Sequence, residues 1–191
     1  EEWGGYFQRE AFQFYNPKAV IDQGTLDGKK SGIVGSVGAT VEPIKGLKIK
    51  GFYSFSNGAE NFGNYWSKSA YWTPYATSSH KGFARQQNYD KFNQLFEATI
   101  NYDKRWEKVG LNVMGGYSYQ EATTSDFWAY GEGFLSDGFT YNNLGSAQVN
   151  LSNKETMGSY KKETKLVGFF ARASLTFLDG IYLTGSVRQD G

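Results

Sequence analysis

The residues that could carry covalent chemistry are few. The chain of 191 residues contains no cysteine and a single histidine, His80, which lies in the polar run TSSHKG. A Ser-His-Asp arrangement would have to use this histidine, yet the run has neither strand nor helix periodicity. We therefore interpret His80 as a solvated loop residue. The sequence predicts no enzyme, no catalytic residue, no metal site and no cofactor.

A second group of residues could bind a ligand without reacting with it. Phe, Trp and Tyr make up 18% of the chain, and aromatic faces can stack on sugar rings or anchor a partner protein. The candidates for contact with a substrate or a covering protein are Tyr65, Trp66, Tyr71, Trp72, Tyr75, Phe127, Trp128 and Tyr130. The alternative is that these rings pack the loops against one another.

Composition narrows the class of protein. Lys plus Arg number 20 and Asp plus Glu 19, so a net charge of +1 provides no electrostatic footprint for nucleic acid. No stretch has the roughly 20 consecutive apolar residues of a membrane helix, and the mean hydropathy is −0.56. A chain that is polar on average but rich in aromatic residues and in Gly (24 residues) is typical of membrane β-barrels.

Alternation of apolar and polar residues predicts six strands. They cover residues 31–42, 47–56, 89–103, 108–120, 167–177 and 181–188. The predicted connections are short at 43–46, 104–107 and 178–180, and long at 57–88 and 121–163. Such regular alternation of short and long connections is typical of outer-membrane barrels, with short turns in the periplasm and long loops outside.

The two faces of the predicted strands differ in polarity. Lipid offers no partner for a charge, so the apolar set is predicted to face lipid: Phe92, Phe96, Ala98, Ile100, Val109, Leu111, Val113, Val167, Phe169 and Leu175. The interleaved set is predicted to line a wet lumen: Lys91, Glu97, Asn101, Lys108, Asn112, Arg172 and Arg188. A soluble antiparallel sheet with one wet face is the alternative.

Six strands are too few for a closed bacterial barrel, which needs at least about eight. The sequence therefore predicts an all-β chain in which residues 1–191 form part of a larger antiparallel transmembrane barrel.

Several stretches resemble the SusC/RagA-type TonB-dependent outer-membrane transporters of Bacteroidota. The stretch LVGFFARASLTFLDGIYLTGSVRQDG is similar to the family signature. The matching positions are Phe170, Arg172, Phe177, Asp179, Leu183, Arg188, Asp190 and Gly191. The departures are Gly168, Phe169, Ala171, Ser174, Gly180 and Ile181. Upstream, YNPKAVIDQG, EPIKGLKIKGFYSFS and FLSDGFTYNNLGSAQ resemble further family segments in the same order.

The resemblance implies a barrel of about 22 strands in the full-length protein, located in the outer membrane of a Gram-negative bacterium. It implies active import of glycans or peptides, with the plug domain and TonB box outside this segment. The implied partners are a SusD-like surface lipoprotein that acts as a lid, the TonB, ExbB and ExbD complex acting through the N-terminal part, and outer-membrane lipid. The alternatives are a passive porin, or a peptide-specific importer like RagA rather than a glycan-specific one.

Overall fold

The computed structural model describes residues 3–8, 15–73, 80–149, 156–178 and 180–191. The elements are a short helix α1 (Pro17–Asp22) and six strands: β1 (Gly24–Ile44), β2 (Leu47–Trp66), β3 (Phe83–Arg105), β4 (Val109–Glu132), β5 (Met157–Phe177) and β6 (Ile181–Asp190). Two short 3-10 turns, at 140–142 and 144–146, lie between β4 and β5. The strands form one antiparallel sheet in the order β1-β2-β3-β4-β5-β6. Within the described residues this sheet is open, and the predicted all-β class is confirmed.

Helix α1 begins at a well-formed N-terminal cap. The side-chain oxygen of Asn16 accepts hydrogen bonds from the backbone N–H groups of Lys18 (3.0 Å) and Ala19 (3.4 Å), and Pro17 occupies the first helical position, where no N–H is needed. The helix ends beside Asp22, which accepts hydrogen bonds from Lys18 and Tyr6. These two donors lower the pKa of the Asp22 carboxyl, with the Lys18 contribution the larger. These hydrogen bonds therefore hold α1 in place directly before β1.

The strands are longer than the sequence predicts. Strands β1 to β5 have 20 to 24 residues, and β6 has 10. Their ends at the short turns were predicted within a few residues, whereas their far ends were wrong. The long connections contract from 57–88 to 67–82 and from 121–163 to 133–156. In the missed ends of β2, β3 and β4, residues such as Tyr65, Phe83 and Ala129 are buried, so apolar and polar residues do not alternate there. The missed ends of β1 and β5 are mostly exposed and polar, so they have no apolar face to detect.

The three short turns lie at 45–46, 106–108 and 178–180, where residue 179 is outside the described residues. Gly46 has a φ of +89° and donates its N–H to the Glu42 side chain at 2.8 Å. That left-handed conformation favours glycine, which has no Cβ. The backbone N–H of Asp103 donates to the Gly46 carbonyl at 2.7 Å, which ties this turn to β3.

The chain divides into two compact units. The first, which we call the turn unit, comprises 32–58, 91–124 and 162–191 and includes the three short turns. The second, which we call the loop unit, comprises 1–31, 59–90 and 125–161 and includes α1 and the long connections. The boundaries fall within β1 to β5, so both units draw on the same strands.

In the turn unit, the two predicted residue sets lie on opposite faces of the sheet. Leu175 is directly opposite Leu183, and Phe170 is directly opposite Arg188; residues paired in this way share a face. Across three strands the rings of Phe96 and Tyr117 (6.3 Å between centroids) and of Tyr117 and Phe169 (5.3 Å) continue the apolar face. On the polar face, Asn112 donates a hydrogen bond to Asp103 at 3.2 Å. Which medium each face meets stays a prediction.

Several aromatic rings lie over glycines of neighbouring strands. In the turn unit, a β-carbon at position 116 would overlap the ring of Phe170, and one at position 35 would lie 2.6 Å from the ring of Phe55. In the loop unit, a β-carbon at position 158 would lie 2.7 Å from Trp128. Such pairs fill the space beside a residue without a side chain and help to fix strand register. They explain part of the joint enrichment in glycine and aromatic residues.

Candidate functional site

Five rings form a continuous row in the loop unit, which we call the aromatic row: Trp72, Trp66, Phe83, Tyr130 and Trp128. The centroid of Trp66 lies 5.4 Å from that of Trp72 and 4.7 Å from that of Phe83. Phe83 lies 5.5 Å from Tyr130, which stacks on Trp128 at 6.0 Å with an interplanar angle of 9°. These distances are in the range of favourable aromatic pairs. The rings therefore hold one another in a preorganised surface.

Three neighbouring strands bring the row together. Trp66 is the last residue of β2, and Phe83 is the first residue of β3. Trp128 and Tyr130 are two residues apart near the end of β4, so their side chains point to the same face. Because β2, β3 and β4 are adjacent in the sheet, their ends meet and the four rings become neighbours.

The row ends in a polar chain. The guanidinium carbon of Arg85 lies 5.3 Å from the centroid of Trp128, within cation–π range. Arg85 also donates to the Gln87 side-chain oxygen at 3.1 Å, and Gln87 donates to Asp126 at 2.9 Å. The row thus combines flat apolar surface with hydrogen-bonding groups at one end, which is the combination that binds an amphipathic solute.

Two donor atoms at the ends of this arrangement have no hydrogen-bond partner among the described residues. They are Nε1 of Trp72 and Nε of Arg85, and both atoms are buried. A buried donor without an acceptor costs free energy.

Tyr65 has a structural position on the other side of β2. It is 3% exposed and forms a small core with Ala84, Phe134 and Ala147. Its hydroxyl donates to the Asp137 carboxylate at 2.5 Å. Asp137 also accepts from the Ser67 hydroxyl at 3.2 Å and from the backbone N–H of Lys68 at 3.1 Å. We call this set of three donors around one carboxylate the Asp137 clamp.

Tyr141 fastens the same segment at a second point. Its hydroxyl donates to Asp27 at 2.6 Å, and its carbonyl accepts from the Gln86 side chain at 2.7 Å. The hydrogen bond to Asp27 raises the pKa of the Tyr141 hydroxyl. Its ring lies over Gly63, where a β-carbon would be 2.5 Å away. Residues 133–149 therefore pack on the loop unit as a fixed element.

The remaining aromatic candidates lie elsewhere. Tyr71 contacts Trp3 (4.7 Å between centroids) and Tyr15 (6.3 Å), beside the start of the chain. Phe127 is 50% exposed and, as the neighbour of Trp128 in β4, points to the opposite face. Tyr75 lies outside the described residues. Of the eight predicted residues, the structure brings together Trp66, Trp72, Trp128 and Tyr130.

Two expectations at the site need correction. Trp66, Trp128 and their predicted neighbours Tyr65, Phe127 and Tyr130 lie in strands and not in loops. His80 lies in a connection as predicted, but it is half-buried beside Gly133 and not fully solvated. Sequence reasoning also missed Phe83 and Arg85. Phe83, Arg85 and Gln87 are every second residue and would share one face of a strand. They were missed because residues 57–88 were predicted to form a loop.

The residues predicted to face lipid and those predicted to line a lumen differ in exposure from one position to the next. Among the apolar set, Phe96, Ile100, Val113 and Phe169 are 39% to 60% exposed. Among the polar set, Lys91, Lys108, Arg172 and Arg188 are exposed, and Glu97, Asn101 and Asn112 are half-buried.

Two kinds of site are absent from the described residues. None of their helices has the length and apolar character needed to cross a membrane. Within the same residues no three His, Cys, Asp or Glu side chains come together as a metal site.

Comparison with known proteins identifies several to which the chain is similar. No protein-family model matches it. It is 27% identical over 176 residues to TonB-dependent receptor P3 of Formosa agariphila, which covers 92% of this chain and 17% of the receptor. Its fold matches the RagAB peptide transporter with a TM-score of 0.79 and 22% identity, over 91% of this chain and 18% of that one. The RagAB peptide importer in its 'open-open' and 'closed-closed' states matches equally well.

The chain therefore spans less than a fifth of the length of each of these relatives. Both comparisons cover nearly all of it. The predicted resemblance is confirmed: the chain is similar in sequence to a TonB-dependent receptor, and its six-stranded sheet has the fold of a SusC/RagA-type barrel segment.

Proposed function

We propose that this chain is a barrel segment of a TonB-dependent outer-membrane importer that takes up glycans or peptides. The observation that carries the proposal is the sequence similarity to a TonB-dependent receptor along 92% of the chain. The open sheet with short turns at one end of its strands and long connections at the other agrees with it. On this proposal residues 1–191 lie within the barrel domain, and the plug and TonB box belong to other parts of the protein.

The proposal includes two partners. A SusD-like lipoprotein would cover the long connections, and the TonB, ExbB and ExbD complex would supply energy through the N-terminal part. A peptide is one candidate cargo, because the fold of the chain matches the RagAB peptide transporter. The aromatic row supports either cargo, because rings stack on sugars and on apolar side chains alike.

We further propose that the aromatic row contacts the solute or the lid. Within the loop unit, the rings of the row lie beside Arg85 and Gln87, so flat apolar surface and hydrogen-bonding groups occur together.

Uptake measurements test the import function. Cells that carry the full-length protein are given a fluorescently labelled tryptic peptide mixture or a labelled polysaccharide digest. For an importer, uptake requires both the protein and TonB, and a protonophore abolishes it. Uptake that needs the protein but persists without TonB would instead support the passive porin.

Purification tests the lid. Extraction of the full-length protein from its native membrane in mild detergent is expected to bring down a second, lipid-anchored protein. A barrel that is isolated alone and still imports at the full rate contradicts the partnership while leaving the import function in place.

A further inference from the structure

The apolar face of the turn unit is free of charge over a defined length. In β4 its alternating members from 109 to 119 are Val109, Leu111, Val113, Gly115, Tyr117 and Tyr119. In β5 the members from 167 to 177 are Val167, Phe169, Ala171, Ala173, Leu175 and Phe177. Each run has the length of the roughly 9–11 residues with which a tilted strand crosses a bilayer. Both strands, however, have more than 20 residues.

The charge-free stretch ends at a line of hydrogen-bonded polar groups. The Tyr53 hydroxyl donates to the Gln94 side-chain oxygen at 3.1 Å, and the Gln94 amide donates to Glu121 at 2.7 Å. The Tyr119 hydroxyl donates to the same Glu121 oxygen at 2.6 Å. These residues come from β2, β3 and β4, and all lie in the turn unit.

The same change occurs on the next strand. Beyond Val167, the following residues of that face in β5 are Lys165 and Glu163, whose side chains form an ion pair at 2.5 Å. We call the six residues Tyr53, Gln94, Tyr119, Glu121, Glu163 and Lys165 the boundary row. On β4 and β5, the apolar surface thus gives way to charged groups. On β2 and β3, Tyr53 and Gln94 link to the same line by hydrogen bonds, and one further aromatic residue of that face follows on each strand, Phe55 and Phe92.

We propose that the boundary row marks the level at which the hydrocarbon of the outer membrane ends and the headgroup region begins. This inference rests on the proposed function and assigns the occupant of the apolar face, which is lipid. A carboxylate such as that of Glu121 is costly in hydrocarbon, even with two hydrogen bonds. Tyr side chains with one apolar and one polar end accumulate where membrane meets water.

One consequence follows for an individual residue. Phe92, which the sequence predicts to face lipid, lies one step beyond Gln94 on β3 and therefore belongs to the interface and not to the hydrocarbon.

Spin labels on single cysteines test the boundary. Val113→Cys, Tyr117→Cys and Thr123→Cys place the label on the apolar face of β4, and Asn112→Cys places it on the opposite face as a matched control. The labelled full-length protein is reconstituted in phosphatidylcholine vesicles. Collision rates are measured with oxygen, which concentrates in lipid, and with a water-soluble nickel chelate. We expect oxygen to dominate at 113 and 117, and nickel to dominate at 123 and 112.

The outcomes separate the two proposals. Oxygen dominance at 123 as well as at 113 overturns the boundary and leaves the barrel intact. Nickel dominance at 113 equal to that at 112 shows that this face meets no lipid, which contradicts both the boundary and the outer-membrane function.

Arginine substitutions give a second readout that does not need a label. We expect Val113→Arg to reduce the fraction of assembled protein at least tenfold, and Thr123→Arg to leave it within twofold of the unmodified protein. Equal losses at the two positions would overturn the boundary.

Discussion

The turn unit and the loop unit are built from the same strands but bury their surfaces differently. In the turn unit, one face remains bare and apolar, with Ile100 54% and Phe169 60% exposed. In the loop unit, residues 133–149 cover one face through the Asp137 clamp and the core around Tyr65, and the aromatic row lies on the opposite side of β2. A bare apolar face needs an outside solvent such as lipid. A strand covered by its own chain needs none, and its residues are free to serve binding.

The largest expected effect tests the bare face. Ala98 lies between Phe96 and Ile100 on the apolar face of β3, and Ala98→Arg would place a charge in hydrocarbon. We expect a loss of about 2 to 4 kcal/mol in the free energy of unfolding, measured by denaturant titration in lipid vesicles. Thr99→Arg, one residue further on the polar face, is the matched control and should be tolerated. Equal losses would mean that the two faces meet the same medium, and a larger loss from Thr99→Arg would mean that the two faces have been exchanged.

The next effect tests the covered face. Asp137→Ala removes the acceptor of three hydrogen bonds in the Asp137 clamp, and hydrogen bonds to a charged group contribute about 1.5 to 3 kcal/mol each. We expect amide hydrogen exchange in residues 137–147 to accelerate by tenfold or more, because the segment opens locally. Leu135→Ala, which shortens a neighbouring side chain that is 80% exposed, should leave the exchange rates unchanged. If the exchange after Asp137→Ala also stayed unchanged, the segment would be held by other contacts.

A smaller effect concerns the order within the aromatic row. In Gly158→Ala the new β-carbon would lie 2.7 Å from the ring of Trp128, and overpacking of this kind costs about 1 to 3 kcal/mol. We expect the near-ultraviolet circular dichroism of the stacked Trp128 and Tyr130 to decrease. Gly115→Ala is the control, because open space surrounds that position. A preserved signal would show that the ring moves aside without losing its stacking.

The smallest expected effect tests whether the row binds. Trp128→Ala removes a stacking surface worth about 0.5 to 1.5 kcal/mol, so the half-saturating concentration for uptake of the labelled peptide or polysaccharide digest should rise about 2- to 10-fold. Phe127→Ala changes the adjacent residue on the other face and should have no effect. Equal behaviour of the two variants would assign Trp128 to packing alone.

The accuracy of the sequence-based prediction differed between the units for a physical reason. In 167–177 and 109–119, one face is apolar and the other polar, so alternation alone located the strands and their short turns. At Tyr65 and Trp66, neighbouring residues are both aromatic and both in contact with protein, so no alternation remained and the strand end was read as a loop. The prediction of the turn unit therefore succeeded where that of the loop unit failed.

The candidate site was predicted in part. Trp66, Trp72, Trp128 and Tyr130 were selected for their ring type, which is visible in a sequence. Asp137 was not selected, because its partners Tyr65 and Ser67 precede it by 72 and 70 residues and only the fold brings them together. Phe83 was missed because its strand was predicted to begin at residue 89.

The order of the strands in the sheet has a consequence for how such a protein forms and changes. Every strand from β1 to β6 pairs with its neighbour in the chain, so the pairings are local in sequence and each hairpin can zip before the next one is complete. Duplication or deletion of one whole hairpin would leave all other strand pairings unchanged. Short turns would also stay at one end of the strands and long connections at the other. A meander of this kind can grow or shrink in steps of two strands, which keeps the strand number even.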